Sequence, residues 1–303
     1  MSAPASARTP TLPLRLWLVA ARPRTLPAAV APVVVGTALA GTEGTFRPLA
    51  FAAALVGSIF IQIGTNLSND YSDARRGADT EDRLGPVRVT AGGLMPPRQV
   101  LVGTYVAFGV AVAAGIYLTV VAGPLLLAVG AVSIAAGVLY TGGPRPYGYA
   151  GLGELFVFLF FGVVAVSGSY FVQTEELTWE ALALSVPVGL LAAAILVVNN
   201  VRDIDTDRRA GKRTLAVKLG RERARRLFAA MLVLAFAAPV ATWLAGGLSA
   251  WLLLPLAAAP LAWPLVRTVA THTDGPALND ALGKTGILLA LFSLLLAAGV
   301  LAS

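Results

Sequence analysis

Apolar residues run along this chain in blocks, separated by polar segments rich in arginine. Nine such blocks stand out, at 26–42, 48–67, 100–122, 124–140, 153–172, 179–200, 226–246, 249–266 and 285–302. A helix needs about 20 apolar residues to cross the ~30 Å hydrocarbon core, so nine crossings use roughly 180 positions and leave no room for a large soluble domain. The pattern predicts an all-α, polytopic membrane protein with about nine transmembrane helices, and one transmembrane domain over residues 1–303. Residues 1–20 form a tail. In it Leu14, Leu16, Trp17, Leu18 and Val19 lie between arginines and read as a helix lying in the membrane interface. Arg15 interrupts this short apolar stretch, so no cleavable signal peptide is visible.

Composition agrees with the pattern. The chain is 57% hydrophobic and 13% charged, against roughly 25% charged in soluble domains, and its mean hydropathy is +0.76. There is no cysteine, which excludes disulfides, thiolate metal sites and a cysteine nucleophile. The single histidine, His272, reads as a loop residue and argues against a Ser-His-Asp triad. A net charge of +7 would suggest nucleic acid in a soluble protein; here the placement of the cations decides. All of the 23 Lys and Arg residues except Arg47 lie in the tail or in loops after even-numbered blocks. Cytoplasmic loops collect Lys and Arg, so the N-terminus and these loops are expected in the cytoplasm, the C-terminus outside, and the chain in the plasma membrane with no nucleic-acid partner.

Two of those loops are also crowded with carboxylates and amides. The first runs from Asn66 through Asn69, Asp70, Asp73, Arg75, Arg76, Gly77 and Asp79 to Arg83; the second runs from Asn199 and Asn200 through Arg202, Asp203, Asp205 and Asp207 to Lys212 and Arg213. Asn199, Asp203 and Asp207 repeat every four residues, as do Asn66 with Asp70 and Asn69 with Asp73. A helix continuing out of the membrane stacks such side chains on one face, about 40° apart per step. Gly77 offers a helix stop. Clustered carboxylates beside lipid repel one another unless a cation compensates. Magnesium suits an all-oxygen set and typically completes its shell with water and substrate phosphates. Interleaved Arg202, Lys212 and Arg213, with Arg83 from the first loop, are candidates for remaining phosphate charge.

These residues resemble the UbiA superfamily of intramembrane aromatic prenyltransferases, whose two aspartate-rich motifs follow the second and sixth helices. The segments at 69–86, 140–154 and 199–212, with Arg22-Pro23-Arg24-Thr25-Leu26-Pro27, are similar to its menaquinone-pathway branch, and the likeness extends from about residue 20 to 300. The resemblance implies nine helices around a central cavity. It also implies Mg2+-dependent transfer of a polyprenyl group from its diphosphate to 1,4-dihydroxy-2-naphthoate, with loss of diphosphate and CO2. Asp70, Asp73, Asp203 and Asp207 are then the catalytic acids, joined as metal ligands by Asn66, Asn69, Asn199 and Asp79. Asp79 stands in for the acid that the superfamily's commoner first motif places where this chain has Gly77. Arg22, Arg24 and Arg145 are candidates for the naphthoate carboxylate, and Arg145 sits in a stiff turn between Pro144 and Pro146. Tyr140 and Tyr149 are candidates to offer ring faces to an allylic cation. Glu154 reads as a helix-start acid complementing the dipole. A cation-coupled transporter is the competing class, although transporters place their acids near the bilayer midplane. The magnesium-dependent enzymes that join lipid alcohols to cytidine nucleotides are disfavoured by the absence of their compact Asp-Gly motif.

Overall fold

A computed structural model describes residues 14–78, 84–246 and 248–303; Asp79 and Arg83 lie outside the described residues. All regular structure among the described residues is helical. Helix α1 (Leu14–Ala21) leads through a tight turn at Pro23–Thr25 into α2 (Pro27–Thr42), followed by α3 (Pro48–Arg75), α4 (Pro97–Ala122) and α5 (Leu125–Leu139). Helix α6 (Gly153–Val157) continues through a π-helical stretch, Phe158–Val164, into α7 (Ala165–Thr174). Then come α8 (Trp179–Arg209), α9 (Leu215–Leu219) and α10 (Arg221–Ala245). A 3-10 helix at Ala250–Leu261, holding Pro255 and Pro260, precedes α11 (Ala262–Thr271) and α12 (Gly275–Leu301).

Local sequence accounts for the boundaries. Proline occupies the first turn of α2, α3, α4 and α12, where its missing N–H is not needed. Thr178 caps α8 by accepting from Ala181 N at 3.4 Å, and Asp274 caps α12 by accepting from Ala277 N at 2.9 Å.

The nine apolar blocks each correspond to a helical segment, but fewer reach across a bilayer. Seven segments are long and apolar enough, and α1 with its following turn and α2, bent by 54°, make an eighth. Helix α5 has 15 residues and extends about 22 Å, short of the ~30 Å core. Pro124 opens it and Gly142-Gly143-Pro144 follows it; that punctuation cuts its apolar block.

Helix α8 is the axis of the core. Of its apolar window 72% is buried, against 22% in α3 and α4, and it packs on α10, α12 and the π-helical stretch. Close approach comes from small residues: a Cβ on Gly36 of α2 would lie 2.2 Å from Val166 O of α7, and one on Gly162 would lie 2.8 Å from Gly189 Cα of α8. Helix α1 lies across the end of α3 with Trp17 over Gly103 of α4.

Candidate active site

Helices α3 and α8 both run well past the apolar blocks in which they begin, to Arg75 and Arg209. The four-residue ladders are therefore helical, and Gly77, at φ +63°, follows the end of α3. Both ladders open on one cavity of about 720 Å³. Among the described residues its lining holds four carboxylates, Asp70, Asp73, Asp203 and Asp207, with five cations, Arg22, Arg24, Arg88, Arg202 and Lys212. The rest of the lining is mostly apolar, drawn from α2 to α5 and from the π-helical stretch with α7. A π-helical turn widens the backbone spiral, and such turns recur at functional sites; here it delivers Phe160, Phe161 and Val164 to the cavity.

The acids are held individually. Asp70 is 1% exposed and accepts from the backbone N–H groups of Val89 at 3.2 Å and Thr90 at 2.9 Å, which pins the α3–α4 loop over the cavity. Asp73 accepts from Tyr149 Oη at 2.7 Å on one oxygen; on the other it faces Lys212 Nζ at 3.4 Å and Arg88 Nη2 at 3.7 Å. Asn69 Oδ1 accepts from Thr141 Oγ1 at 2.9 Å, and Asn66 Nδ2 donates to Ala21 O at 2.9 Å and Thr25 Oγ1 at 3.1 Å. Asp207 faces the cavity beside Thr214, whose hydroxyl lies 3.5 Å from it.

Several expected roles change in three dimensions. Arg202, placed by spacing at the phosphates, is 1% exposed and directs its fork to protein. Nε and Nη2 donate to the two oxygens of Asp203 at 2.8 and 2.6 Å, Nη2 also to Asn199 Oδ1 at 2.8 Å, and Nη1 to Asn279. A fork committed in this way holds Asp203 rather than reaching for a ligand. Asn199 thereby has its side-chain oxygen engaged, and both it and Asn200 line the cavity from the same helix. Arg145 is exposed and outside the cavity, because the turn at Gly143, φ +72°, carries it outward. Tyr149 carries the Lys212 ammonium 4.8 Å over its ring, so that face is already engaged by a cation. Tyr140 does line the cavity, edge-on to Tyr147 at 5.4 Å, and Tyr147 stacks on Phe156 at 4.0 Å. Burial pushes the Tyr147 phenol well above its ordinary value. Its hydroxyl donates to Ala136 O at 2.9 Å. Glu154 does sit in the first turn of α6 and is buried there, and His272 is an exposed loop residue.

Arg22 and Arg24 enter the cavity from the turn between α1 and α2. Arg22 holds a left-handed backbone, φ 53°, a strain that tends to persist at functional positions, and donates to Asn66 O at 3.3 Å. Gly286 of α12 lets Arg24 O approach: a Cβ there would sit 2.9 Å away. Three site residues escaped the pattern reading. Arg88 looked like one more loop cation, Asn279 has no motif around it, and Asn200 was hidden by the four-residue step counted from Asn199.

The oxygen-only donor set suits magnesium. Among the described residues no three carboxylates or imidazoles converge tightly enough for a preassembled cage, which fits an ion that takes one or two carboxylates and completes its shell with phosphate and water.

A family model described as the UbiA prenyltransferase family matches residues 29–282. A 1,4-dihydroxy-2-naphthoate octaprenyltransferase of Mycobacterium tuberculosis (strain ATCC 25618 / H37Rv) is 43% identical over 281 residues, covering 93% of this chain and 95% of the relative. Another, of Escherichia coli (strain K12), is 39% identical, covering 89% of each. Among solved structures, a UbiA homolog from Archaeoglobus fulgidus bound to GPP and Mg2+ superposes with a TM-score of 0.66 at 16% identity, covering 95% of this chain and 100% of that one. The apo structure of a UbiA homolog from Aeropyrum pernix K1 gives 0.69 at 18% identity, covering 91% and 97%. The last two establish likeness of fold.

Proposed function

The chain belongs to the UbiA prenyltransferase family, and from that premise we propose that it transfers a polyprenyl group from an allylic polyprenyl diphosphate to 1,4-dihydroxy-2-naphthoate. Diphosphate and CO2 leave, and the product is demethylmenaquinol, the reduced form of demethylmenaquinone. The observation that carries this reading is that both acidic helix ends open on one cavity whose remaining wall is apolar and aromatic. One region receives a diphosphate and the other a hydrocarbon chain. A cation-coupled transporter would need acids at mid-membrane; here they lie on the extensions of α3 and α8.

Asp70, Asp73, Asn200, Asp203 and Asp207 would hold magnesium, with Arg202 fixing Asp203. A bound magnesium ion would neutralise charge growing on the departing diphosphate. Lys212 and Arg88, already turned to Asp73, meet the remaining phosphate charge, the kind of preorganised electrostatics that supplies a large share of catalysis. The allylic C–O bond breaks with its electron pair going to diphosphate. The electron-rich ring then forms the C–C bond at its carboxylated carbon, and the electrons of the C–CO2 bond return to the ring as CO2 departs. Tyr140, Tyr147 and Phe156 wall the cavity, exclude water that would capture the cation and offer it ring faces. Arg22 and Arg24 face the naphthoate carboxylate.

The experiment is prenyl transfer by purified protein, using radiolabelled polyprenyl diphosphate with a panel of aromatic acids, with and without a chelator. Demethylmenaquinol, recovered as demethylmenaquinone after air oxidation, should form only with the naphthoate and be lost on chelation. Turnover indifferent to magnesium would overturn the reading, and preference for another aromatic acid would reassign the acceptor. We further place the protein in the plasma membrane with the acidic rim cytoplasmic, on the strength of the Lys and Arg asymmetry. Reporters fused to the C-terminus should be active only on the outer face.

A further inference from the structure

We propose that Glu154 is a positioning residue, which turns the side-chain amide of Asn200 so that its oxygen faces the cavity beside Asp203 and Asp207. The inference rests on the functional reading above and deepens it. Asn200 Nδ2 donates to Glu154 Oε1 at 2.8 Å, and each residue is 4% exposed. An asparagine amide has a donor end and an acceptor end of nearly the same shape, so its orientation is decided by what its partner can offer. A carboxyl oxygen that accepts takes the Nδ2 end, and Oδ1 is left for the other side. Asn200 lines the cavity whereas Glu154 stands behind it.

Helix geometry puts that oxygen in the row of acids. At about 100° per residue, Asn200 projects about 20° from Asp207 and about 60° from Asp203 around α8. Asn199 lines the cavity as well, but its oxygen is turned to Arg202 Nη2.

The choice of an acid at position 154 also points this way. Glu154 Oε2 is buried and has no hydrogen-bond partner. Leaving a buried polar oxygen unmatched costs stability, so an acid here is a poor choice for packing alone. A glutamine would fit the same volume, yet its own amide could present either end to Asn200 and the orientation would be lost.

The test uses the full chain in lipid nanodiscs, titrated calorimetrically with a farnesyl thiolodiphosphate that does not turn over, with and without Mg2+, beside kcat and KM. Glu154→Gln is expected to weaken magnesium-dependent binding about 10-fold and Glu154→Ala up to about 100-fold, with magnesium-free binding unchanged. Asn200→Asp should restore binding in the Glu154→Gln background, because the amide introduced at 154 donates to the carboxylate introduced at 200. The latter's second oxygen then faces the cavity. Asn200→Asp alone, which sets two carboxyl groups against each other, should bind weakly. Equal magnesium-dependent affinity in wild type and Glu154→Gln, or no recovery in the double variant, would overturn the assignment. If wild-type protein itself shows no magnesium-dependent binding, the functional reading fails first and this assignment with it. Should Glu154→Ala not fold, the isosteric pair still decides.

Discussion

Lys212 Nζ lies 3.4 Å from Asp73 Oδ2, although the two residues are 139 positions apart in the chain. Asp73 comes from the end of α3 and Lys212 from the turn after α8, so this buried pair joins the two acidic segments directly. It also sets an ammonium and a carboxylate side by side in the cavity lining.

Neutralising either partner should separate their roles. Asp73→Asn is expected to lower kcat by about 100-fold or more, as losing one preorganised charge does, while Lys212→Gln should chiefly raise KM for the polyprenyl diphosphate. Because the groups touch, the double variant should lose less than the product of the single effects. Steady-state kinetics of the four proteins checks this, and independent effects would contradict the coupling.

Naphthoate recognition should depend on the inner arginine and not the outer one. Arg22→Gln is expected to raise the naphthoate KM about tenfold, the loss of a charge-assisted contact of roughly 1.5 kcal/mol. Arg145→Ala, at an exposed turn outside the cavity, should leave KM unchanged. The reverse result would mean that the 142–147 turn folds inward on binding.

Alkali should act through Tyr147. Its folded pKa is raised by burial above the ordinary 10.0, so its contribution is complete below about pH 10 and is lost as pH climbs above that value. Stability against alkaline unfolding should therefore fall from about pH 10 upward. Tyr147→Phe should flatten that fall while lowering stability at neutral pH by about 1 kcal/mol, the loss of one hydrogen bond to Ala136 O. An unfolding series from pH 9 to 12 provides the measurement, and an unaltered alkaline limb in the variant would rule Tyr147 out.

Glycines in the apolar half of the cavity should set how much chain fits. A Cβ added at Gly115, Gly130 or Gly168 would meet no atom within 4 Å, and all three line the cavity. Gly115→Leu and Gly130→Leu are expected to fold normally yet shift use toward shorter prenyl diphosphates. Gly36→Ala, by contrast, would drive its methyl into Val166 O and should cost folded yield. Product chain length by mass spectrometry, with yield from membranes, distinguishes the two classes.

Much of this was legible in the linear pattern, because a lipid solvent leaves a chain few options. Backbone groups must be satisfied within each segment, so apolar blocks become helices. Asp203 and Asp207 share a face simply because they are four residues apart on one helix. The pattern misjudged where only neighbours decide. Nothing in the row of letters revealed that Asn279, from α12, would share the fork of Arg202.

Composition and spacing by themselves determined the helical membrane fold, the two oxygen-rich rims and their shared face, since these follow from local periodicity and from the cost of charge in hydrocarbon. Only the tertiary structure decided which of those side chains are already engaged and which face the cavity. Asn200 held by Glu154, Arg88 joining Asp73 and Arg145 left outside all depend on contacts between segments far apart in the chain. Such contacts arise from packing geometry, which no single stretch of residues carries.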